Sequence, residues 1–169
     1  MQMGLVQAHV RLLLPWRDAR DRIGATFAGI VVCGESFAVG HSGDSRVYLL
    51  RAARGRLVQL TDDHTVAGHA CRCGVPAHDA ATLPGAQKVT QMVGATRLFE
   101  PRPFVRRWEP GDIALLCTDG VSDQLDADLL VNIVLDASDL GMAAHRIVDL
   151  AIEVGGCDNA TVLLVHRTT

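Results

Sequence analysis

The chain has 169 residues, of which 49% are hydrophobic and 21% are charged, and its formal net charge is −3. This is the length of one ordinary domain, and the apolar fraction is high enough for a packed core, which excludes a disordered chain. The acidic balance argues against a general nucleic-acid binder, because such proteins need a basic surface. No apolar run approaches the roughly 18–20 residues of a membrane span, and no secretory signal precedes the first elements. We therefore expect a soluble, cytoplasmic protein that binds neither nucleic acid nor membrane.

The first predicted element is a helix. Steps of three and four place the following apolar residues on one helical face: Leu5, Ala8, Leu12, Trp16, Ala19 and Ile23. Pro15 interrupts this pattern, because an interior proline removes a backbone hydrogen bond. An alternative is that the helix begins near Pro15, since proline is favoured in a first helical turn.

Short apolar runs separated by turn residues then predict strands and, later, two helices. The predicted strands are Thr26–Cys33, Ser36–His41, Arg46–Arg51, Leu57–Leu60, Val105–Trp108, Ile113–Cys117 and Ala160–Val165. The first four are close enough in sequence to form an antiparallel meander. Residues 62–87 predict a loop with one short helix. The second late helix carries an apolar stripe of Leu140, Ala144, Ile147, Ala151 and Val154. Strands outnumber helices, which predicts an α+β fold with mainly antiparallel sheet, and the strands are apolar enough to be covered on both faces.

The five cysteines form an odd set: Cys33, Cys71, Cys73, Cys117 and Cys157. Three of the five sit in or beside apolar runs, which favours buried free thiols in a reducing compartment. His64, His69 and His78 lie near the Cys71-x-Cys73 pair and raise the possibility of a zinc site. The single intervening residue and the lack of a second cysteine pair argue against a zinc knuckle.

Three apolar strands each have an aspartate at one end, and this recurrence is the feature that carries chemistry. The residues are Asp44, Asp119 and Asp158, and Asp123 lies one helical turn beyond Asp119. If these strand ends share one edge, the carboxylates converge, and clustered carboxylates are ligands for hard divalent cations. Turn chemistry and helix capping are the alternative, because aspartate is common in both without any metal.

The motifs around these aspartates resemble, in order, those of the bacterial PPM-type (phosphatase-2C-like) metal-dependent serine/threonine protein phosphatases. The strong matches are Gly43-Asp44-Ser45-Arg46-Val47-Tyr48, Leu115-Leu116-Cys117-Thr118-Asp119-Gly120-Val121-Ser122-Asp123 and Asp158-Asn159-Ala160-Thr161-Val162. Weaker matches are Gly24-Ala25-Thr26, Leu60-Thr61-Asp62-Asp63-His64-Thr65, Val89-Thr90-Gln91-Met92-Val93-Gly94 and Gly111-Asp112. The resemblance covers roughly residues 20–166.

The resemblance implies a two-sheet antiparallel β-sandwich flanked by helices. It implies that a metal-bound water hydrolyses phosphoserine and phosphothreonine in protein substrates, which belong to the pathway of a cognate serine/threonine kinase. Asp119 and Asp158 resemble the catalytic ligands of a two-metal Mn²⁺ or Mg²⁺ centre. Asp44 and Asp123, together with Asp119, resemble the ligands of a third metal site. Arg46 resembles a motif arginine, which we interpret as structural and paired with a carboxylate near the turn.

The chain also departs from the family pattern. The family places an acidic residue in an early strand, a second Asp-Gly pair that bridges both metals, and a phosphate-binding arginine ahead of the position matched by Gly24. Asp18 and Asp21 do not match those positions. The resemblance therefore predicts a single, partial domain over residues 1–169 that lacks its N-terminal strands and has impaired activity. Two alternatives stay open: a non-catalytic pseudophosphatase or regulatory binding module, and a piece of a longer, complete enzyme.

Overall fold

The computed structural model describes residues 1–13, 24–94, 101–156 and 158–168. Asp18, Asp21 and Cys157 lie outside these residues. The helices are α1 (Gln2–Leu13), α2 (Val66–Arg72), α3 (Ala77–Ala81), α4 (Asp119–Ser122), α5 (Ala127–Asp136) and α6 (Leu140–Glu153). The strands are β1 (Phe27–Cys33), β2 (Ser36–Ser42), β3 (Arg46–Arg51), β4 (Arg56–Gln59), β5 (Phe104–Arg107), β6 (Ile113–Cys117) and β7 (Val162–His166). The predicted first helix is confirmed as far as Leu13, and the rest of its pattern, including a start near Pro15, lies outside the described residues. The region of residues 62–87 holds two short helices instead of one.

The strands form two sheets, one with the order β1-β2-β5 and the other with the order β4-β3-β6-β7. In the second sheet every neighbouring pair is antiparallel. The α+β class with antiparallel sheets and accompanying helices is confirmed. The predicted single meander is wrong, because β2 and β3 belong to different sheets. The Ser42–Ser45 turn changes the direction of the chain there, and Gly43 adopts a φ of 104°, a left-handed conformation that favours glycine.

The chain divides into two compact units. The first comprises Met1–Val31, Ala38–Ser45 and Asp62–Val105, and the second comprises Val32–Phe37, Arg46–Thr61 and Arg106–Thr169.

The second unit has its core between the four-stranded sheet and the helices α5 and α6. The fully or nearly fully buried members include Leu50, Leu115, Cys117, Val121, Leu130, Ala143, Ile147 and Ala151. Of the stripe predicted for α6, Ile147 and Ala151 are buried, but Ala143 replaces Ala144 in the core and Val154 is exposed. Val154 is the C-terminal cap that follows the last helical residue, Glu153.

Aspartates cap both long helices of this unit. Asp126 accepts a hydrogen bond from Leu129 N at 2.8 Å, and Asp139 accepts one from Met142 N at 2.9 Å. These side chains satisfy amides that a helix start leaves without intrahelical partners. Capping therefore explains Asp126 and Asp139 without any ligand.

The expectation that the strands are covered on both faces holds for β6 but fails at β1 and β7. All five residues of β6 are buried. Val31 in β1 and Leu163 in β7 are instead 55% and 53% exposed. Cys33 at the end of β1 is exposed too, so its predicted burial is wrong, whereas Cys117 is buried as expected. Cys33, Cys71, Cys73 and Cys117 are all free thiols.

Within the described residues, no helix is both long and apolar enough to cross a membrane.

An ion pair between the half-buried Arg51 and the buried Asp112 joins the end of β3 to the start of β6. The guanidinium of Arg51 donates to Asp112 Oδ2, and Glu109 N donates to the same oxygen at 2.7 Å. Asp112 is 4% exposed. Removing one partner of a buried pair leaves the other charge without compensation in a poorly solvated place.

We expect Asp112→Ala to reduce the free energy of unfolding by about 2 kcal/mol, since Arg51 and Glu109 N both lose an acceptor. Urea unfolding measures this loss. Glu153→Ala is the matched control, because the Arg146–Glu153 pair is exposed on both sides. Equal stability of Asp112→Ala and the control would show that the buried pair contributes nothing.

Candidate functional site

Asp119 and Asp158 lie at adjoining ends of two paired strands in the second unit. Strands β6 and β7 run antiparallel with Cys117 opposite Val162. Asp119 follows Cys117 by two positions, and Asp158 precedes Val162 by four. The structure thus brings these two predicted residues to the same end of the four-stranded sheet.

Each of the two carboxylates is oriented by the backbone of its own turn. Asp119 Oδ1 accepts a hydrogen bond from Gly120 N at 2.9 Å, and Asp158 Oδ1 accepts one from Asn159 N at 2.7 Å. Asp119 is half-buried, whereas Asp158 is exposed. Short contacts of this kind fix a carboxylate relative to the main chain, which prepares it to bind a ligand at low entropic cost.

Asp123 belongs to the same local structure as Asp119. It is the C-terminal cap of the short helix α4, and its N–H donates to the carbonyl oxygen of Asp119 at 2.8 Å. Residues four positions apart in a helical turn lie on one face. The exposed Asp123 carboxylate therefore starts from the same side of α4 as that of Asp119.

Thr118 is a residue of this site that the sequence reasoning missed. Its Oγ1 accepts a hydrogen bond from Thr161 N at 3.0 Å and donates to the Asn159 carbonyl at 3.3 Å. Its own N–H donates to the Thr161 carbonyl at 3.1 Å. The available signal was a threonine directly before Asp-Gly, which reads first as an ordinary helix cap.

Asp44 lies in the first unit, in the turn between β2 and β3, and is half-buried. His64 N donates to the Gly43 carbonyl at 2.9 Å, and Thr26 Oγ1 and Ser45 Oγ are 2.9 Å apart. A Cβ on Gly43 would lie 2.4 Å from Thr26 Cγ2, so the glycine of this motif is required by packing as well as by its φ. The turn is thereby held from two sides. A contribution of Asp44 to a third metal site stays a prediction.

Two histidines of the first unit support the Asp44 turn. The rings of His41 and His64 are stacked with centroids 4.3 Å apart. His64 Nδ1 accepts a hydrogen bond from Gly43 N at 3.2 Å, and His41 Nε2 donates to the Asp62 carbonyl at 2.9 Å. Burial, and next the charge of a protonated His41, lower the pKa of His64 to about 4. The rings therefore act as neutral supports of the turn at neutral pH.

Arg46 donates to the hydroxyl of Tyr48 at 3.3 Å. This contact lies within β3 and agrees with a structural role. Its pairing with a carboxylate near the turn stays a prediction.

The Cys-x-Cys region contributes one cysteine–histidine contact, with Cys73 Sγ 3.8 Å from His69 Nε2. In the described part of the chain, no group of three or more His, Cys, Asp or Glu side chains is placed to hold a metal ion. Carboxylate oxygens suit Mg²⁺ and Mn²⁺. Asp119 and Asp158 therefore fit such an ion by chemistry, but as two ligands they form only part of a coordination shell.

Comparison with known proteins places these features in one family. No family model matches the chain. A putative protein phosphatase 2C-type of Streptococcus pyogenes serotype M6 is 32% identical over 146 residues, which are 86% of this chain. The chain spans 58% of the length of that relative.

Solved structures agree with the sequence comparison. The PPM Ser-Thr phosphatase MsPP from Mycobacterium smegmatis, solved with cacodylate, is 32% identical with a TM-score of 0.81, covering 96% of this chain and 70% of that one. The catalytic domain of the serine/threonine protein phosphatase PstP, in complex with two manganese ions, is 27% identical with a TM-score of 0.77, covering 95% of this chain and 67% of that one. These similarities extend over nearly the whole chain and confirm the predicted fold class. The chain belongs to the PPM family of serine/threonine protein phosphatases.

Proposed function

We propose that this chain takes part in metal-dependent hydrolysis of phosphoserine and phosphothreonine in proteins. The observation that carries the proposal is the placement of Asp119 and Asp158 at one end of the β6–β7 pair, each oriented by a backbone N–H. Family membership supplies the reaction class. The catalytic domain of the related phosphatase PstP was solved in complex with two manganese ions. We therefore propose Mn²⁺ or Mg²⁺ as the cofactor of this chain.

Asp119 and Asp158 would hold the divalent ions, and Asp123 would join Asp119 at a further ion. The bound ions would polarise a phosphoryl oxygen and lower the pKa of a bound water. The residues of this chain would orient the carboxylates before an ion binds. The short turn contacts of Asp119 and Asp158 support this, because preset ligands need little reorganisation on binding.

We also propose that the activity of this chain is impaired. The observation behind this is that the only Asp-Gly pair in the sequence is Asp119-Gly120. We propose phosphorylated proteins of a serine/threonine kinase pathway as substrates and the cytoplasm as the location.

The test is the release of inorganic phosphate from a phosphothreonine peptide by the chelator-treated chain. We expect slow release that begins when Mn²⁺ is added and stops when chelator is restored. A rate of phosphate release that changes neither with added Mn²⁺ nor with added chelator would overturn the proposed metal dependence.

A second candidate function is a non-catalytic module that binds phosphoproteins, and the observation that favours it is that Asp119-Gly120 is the one Asp-Gly pair of the sequence. The same peptide separates the two functions. Saturable peptide binding with no phosphate release at any Mn²⁺ concentration would support the binding module. Turnover would rule it out.

A further inference from the structure

Thr118 occupies a helix N-cap position, but its hydroxyl does not cap the helix. Thr118 is the N-terminal cap of α4, with extended backbone angles of φ −81° and ψ 165°, yet its side chain makes no capping hydrogen bond. A capping threonine ordinarily accepts from an amide of the first helical turn. Here the hydroxyl instead reaches sideways to the segment that carries Asp158, where it contacts Asn159 and Thr161.

The contacts of Thr118 form a clamp between two segments that are far apart in sequence. The backbone of Thr118 donates to the Thr161 carbonyl, its Oγ1 accepts from Thr161 N, and the same oxygen donates to the Asn159 carbonyl. The hydroxyl thus uses both its donor and its acceptor capacity across the gap. Because Thr118 directly precedes Asp119 and Asn159 directly follows Asp158, the clamp spans the two carboxylate-bearing turns.

Packing at Gly120 shows independently that these turns are pressed together. A Cβ on Gly120 would lie 2.5 Å from the Asn159 carbonyl oxygen and 3.0 Å from its carbon. Both are backbone atoms, which cannot move away as a flexible side chain can. The carbonyl of Asn159 is therefore held by Thr118 on one side and by the first turn of α4 on the other.

We propose that Thr118 is a positioning residue that sets the spacing between the carboxylates of Asp119 and Asp158 for a divalent cation. The inference rests on the proposed function and deepens it, because it assigns the spacing of the two carboxylates to a neutral side chain that contacts Asn159 and Thr161. Metal–ligand distances tolerate only about 0.2 Å of error. Loss of a group that orients ligands typically costs about 10–100-fold in metal affinity.

The test is Mn²⁺ binding, measured by calorimetric titration of the wild-type chain, Thr118→Val and Thr118→Ser. Valine keeps the shape and removes the hydroxyl, whereas serine keeps the hydroxyl. We expect Thr118→Val to weaken Mn²⁺ binding about tenfold and Thr118→Ser to restore most of it. Thr82→Val is the matched control, because its hydroxyl donates to the Asp79 carbonyl at the end of α3.

Amide hydrogen exchange is the second readout, and it needs no metal. In Thr118→Val, Thr161 N loses its acceptor and is expected to exchange faster, while the amides of α6 keep their protection. Unchanged exchange at Thr161 would overturn the clamp. Wild-type Mn²⁺ binding with equal affinity in Thr118→Val would overturn the positioning role alone. A wild-type chain that binds no Mn²⁺ would instead overturn the proposed metal centre, and this inference with it.

Discussion

Replacement of Gly120 by alanine is expected to reduce the free energy of unfolding by about 2–3 kcal/mol. The added Cβ would lie 2.5 Å from the Asn159 carbonyl oxygen, a distance that real Cβ contacts do not reach. Relief requires that α4 and the turn before β7 move apart, which would break the Thr118 hydrogen bonds to Asn159 and Thr161. Thermal and urea unfolding would measure the loss.

Gly4→Ala is the matched control for this substitution. Gly4 lies inside α1, and a Cβ there would meet nothing within 4 Å. Alanine is a better helix former than glycine by roughly 0.5–1 kcal/mol, so this variant is expected to be as stable as wild type or slightly more so. If Gly120→Ala behaved like Gly4→Ala, the close approach of the two carboxylate-bearing turns would be contradicted.

Acidification from neutral pH is expected to destabilise the first unit. Burial lowers the pKa of His9, of His41 and of His64, in the last case to about 4. In the unfolded chain these histidines become protonated near pH 6.5, whereas in the folded chain they are still neutral at that pH. The stabilising contribution is therefore complete above about pH 6.5 and is lost as the pH falls from there towards about 4.

The contacts of these histidines explain why protonation is unfavourable. His9 Nδ1 accepts a hydrogen bond from Gly94 N at 3.0 Å, and His64 Nδ1 accepts one from Gly43 N at 3.2 Å. A proton on either Nδ1 would turn this acceptor into a donor. The new N–H group would then face the backbone N–H of Gly94 or Gly43, and the hydrogen bond would be lost.

The midpoint of thermal unfolding, recorded between pH 7.5 and 4, checks this prediction. We expect it to fall across that range, and to fall less steeply in His64→Gln. The exposed His145 provides the control, since His145→Gln leaves these contacts intact. A midpoint that stays constant over this range, or the same slope in wild type and both variants, would refute the role of these histidines.

Much of the fold could be predicted from the sequence because its strands are short, strongly apolar and bounded by turn residues. Arg46–Arg51 and Ile113–Cys117 have the predicted limits in the structure. The assignment of strands to sheets could not be predicted, because a four-residue turn such as Ser42–Ser45 can either continue a sheet or leave it. In the structure Gly43 of this turn has a φ of 104°, and Thr26, seventeen positions earlier, packs against it, a contact that the local sequence does not reveal.

The candidate site, too, could be predicted from the sequence only in part. The recurrence of aspartate at strand ends predicted which carboxylates to examine, and the antiparallel β6–β7 pair does bring Asp119 and Asp158 to one end. The role of Thr118 could not be predicted, since threonine is a preferred helix N-cap residue and its side chain would be expected to cap α4. Its partners, Asn159 and Thr161, are more than forty positions away. Only the register of β6 against β7 makes them neighbours.

The most direct test of the proposed function is the Mn²⁺-dependent rate of phosphate release from a phosphothreonine peptide by wild type, Asp119→Ala and Asp128→Ala. Asp128 is an exposed carboxylate in the first turn of α5 and serves as the matched control. If Asp119 holds a catalytic ion, its removal costs at least about tenfold in rate, the lower limit for disturbing a group that orients metal ligands. Asp128→Ala is expected to retain the wild-type rate. An unchanged rate in Asp119→Ala, or no release by wild type at any Mn²⁺ concentration, would contradict the proposal.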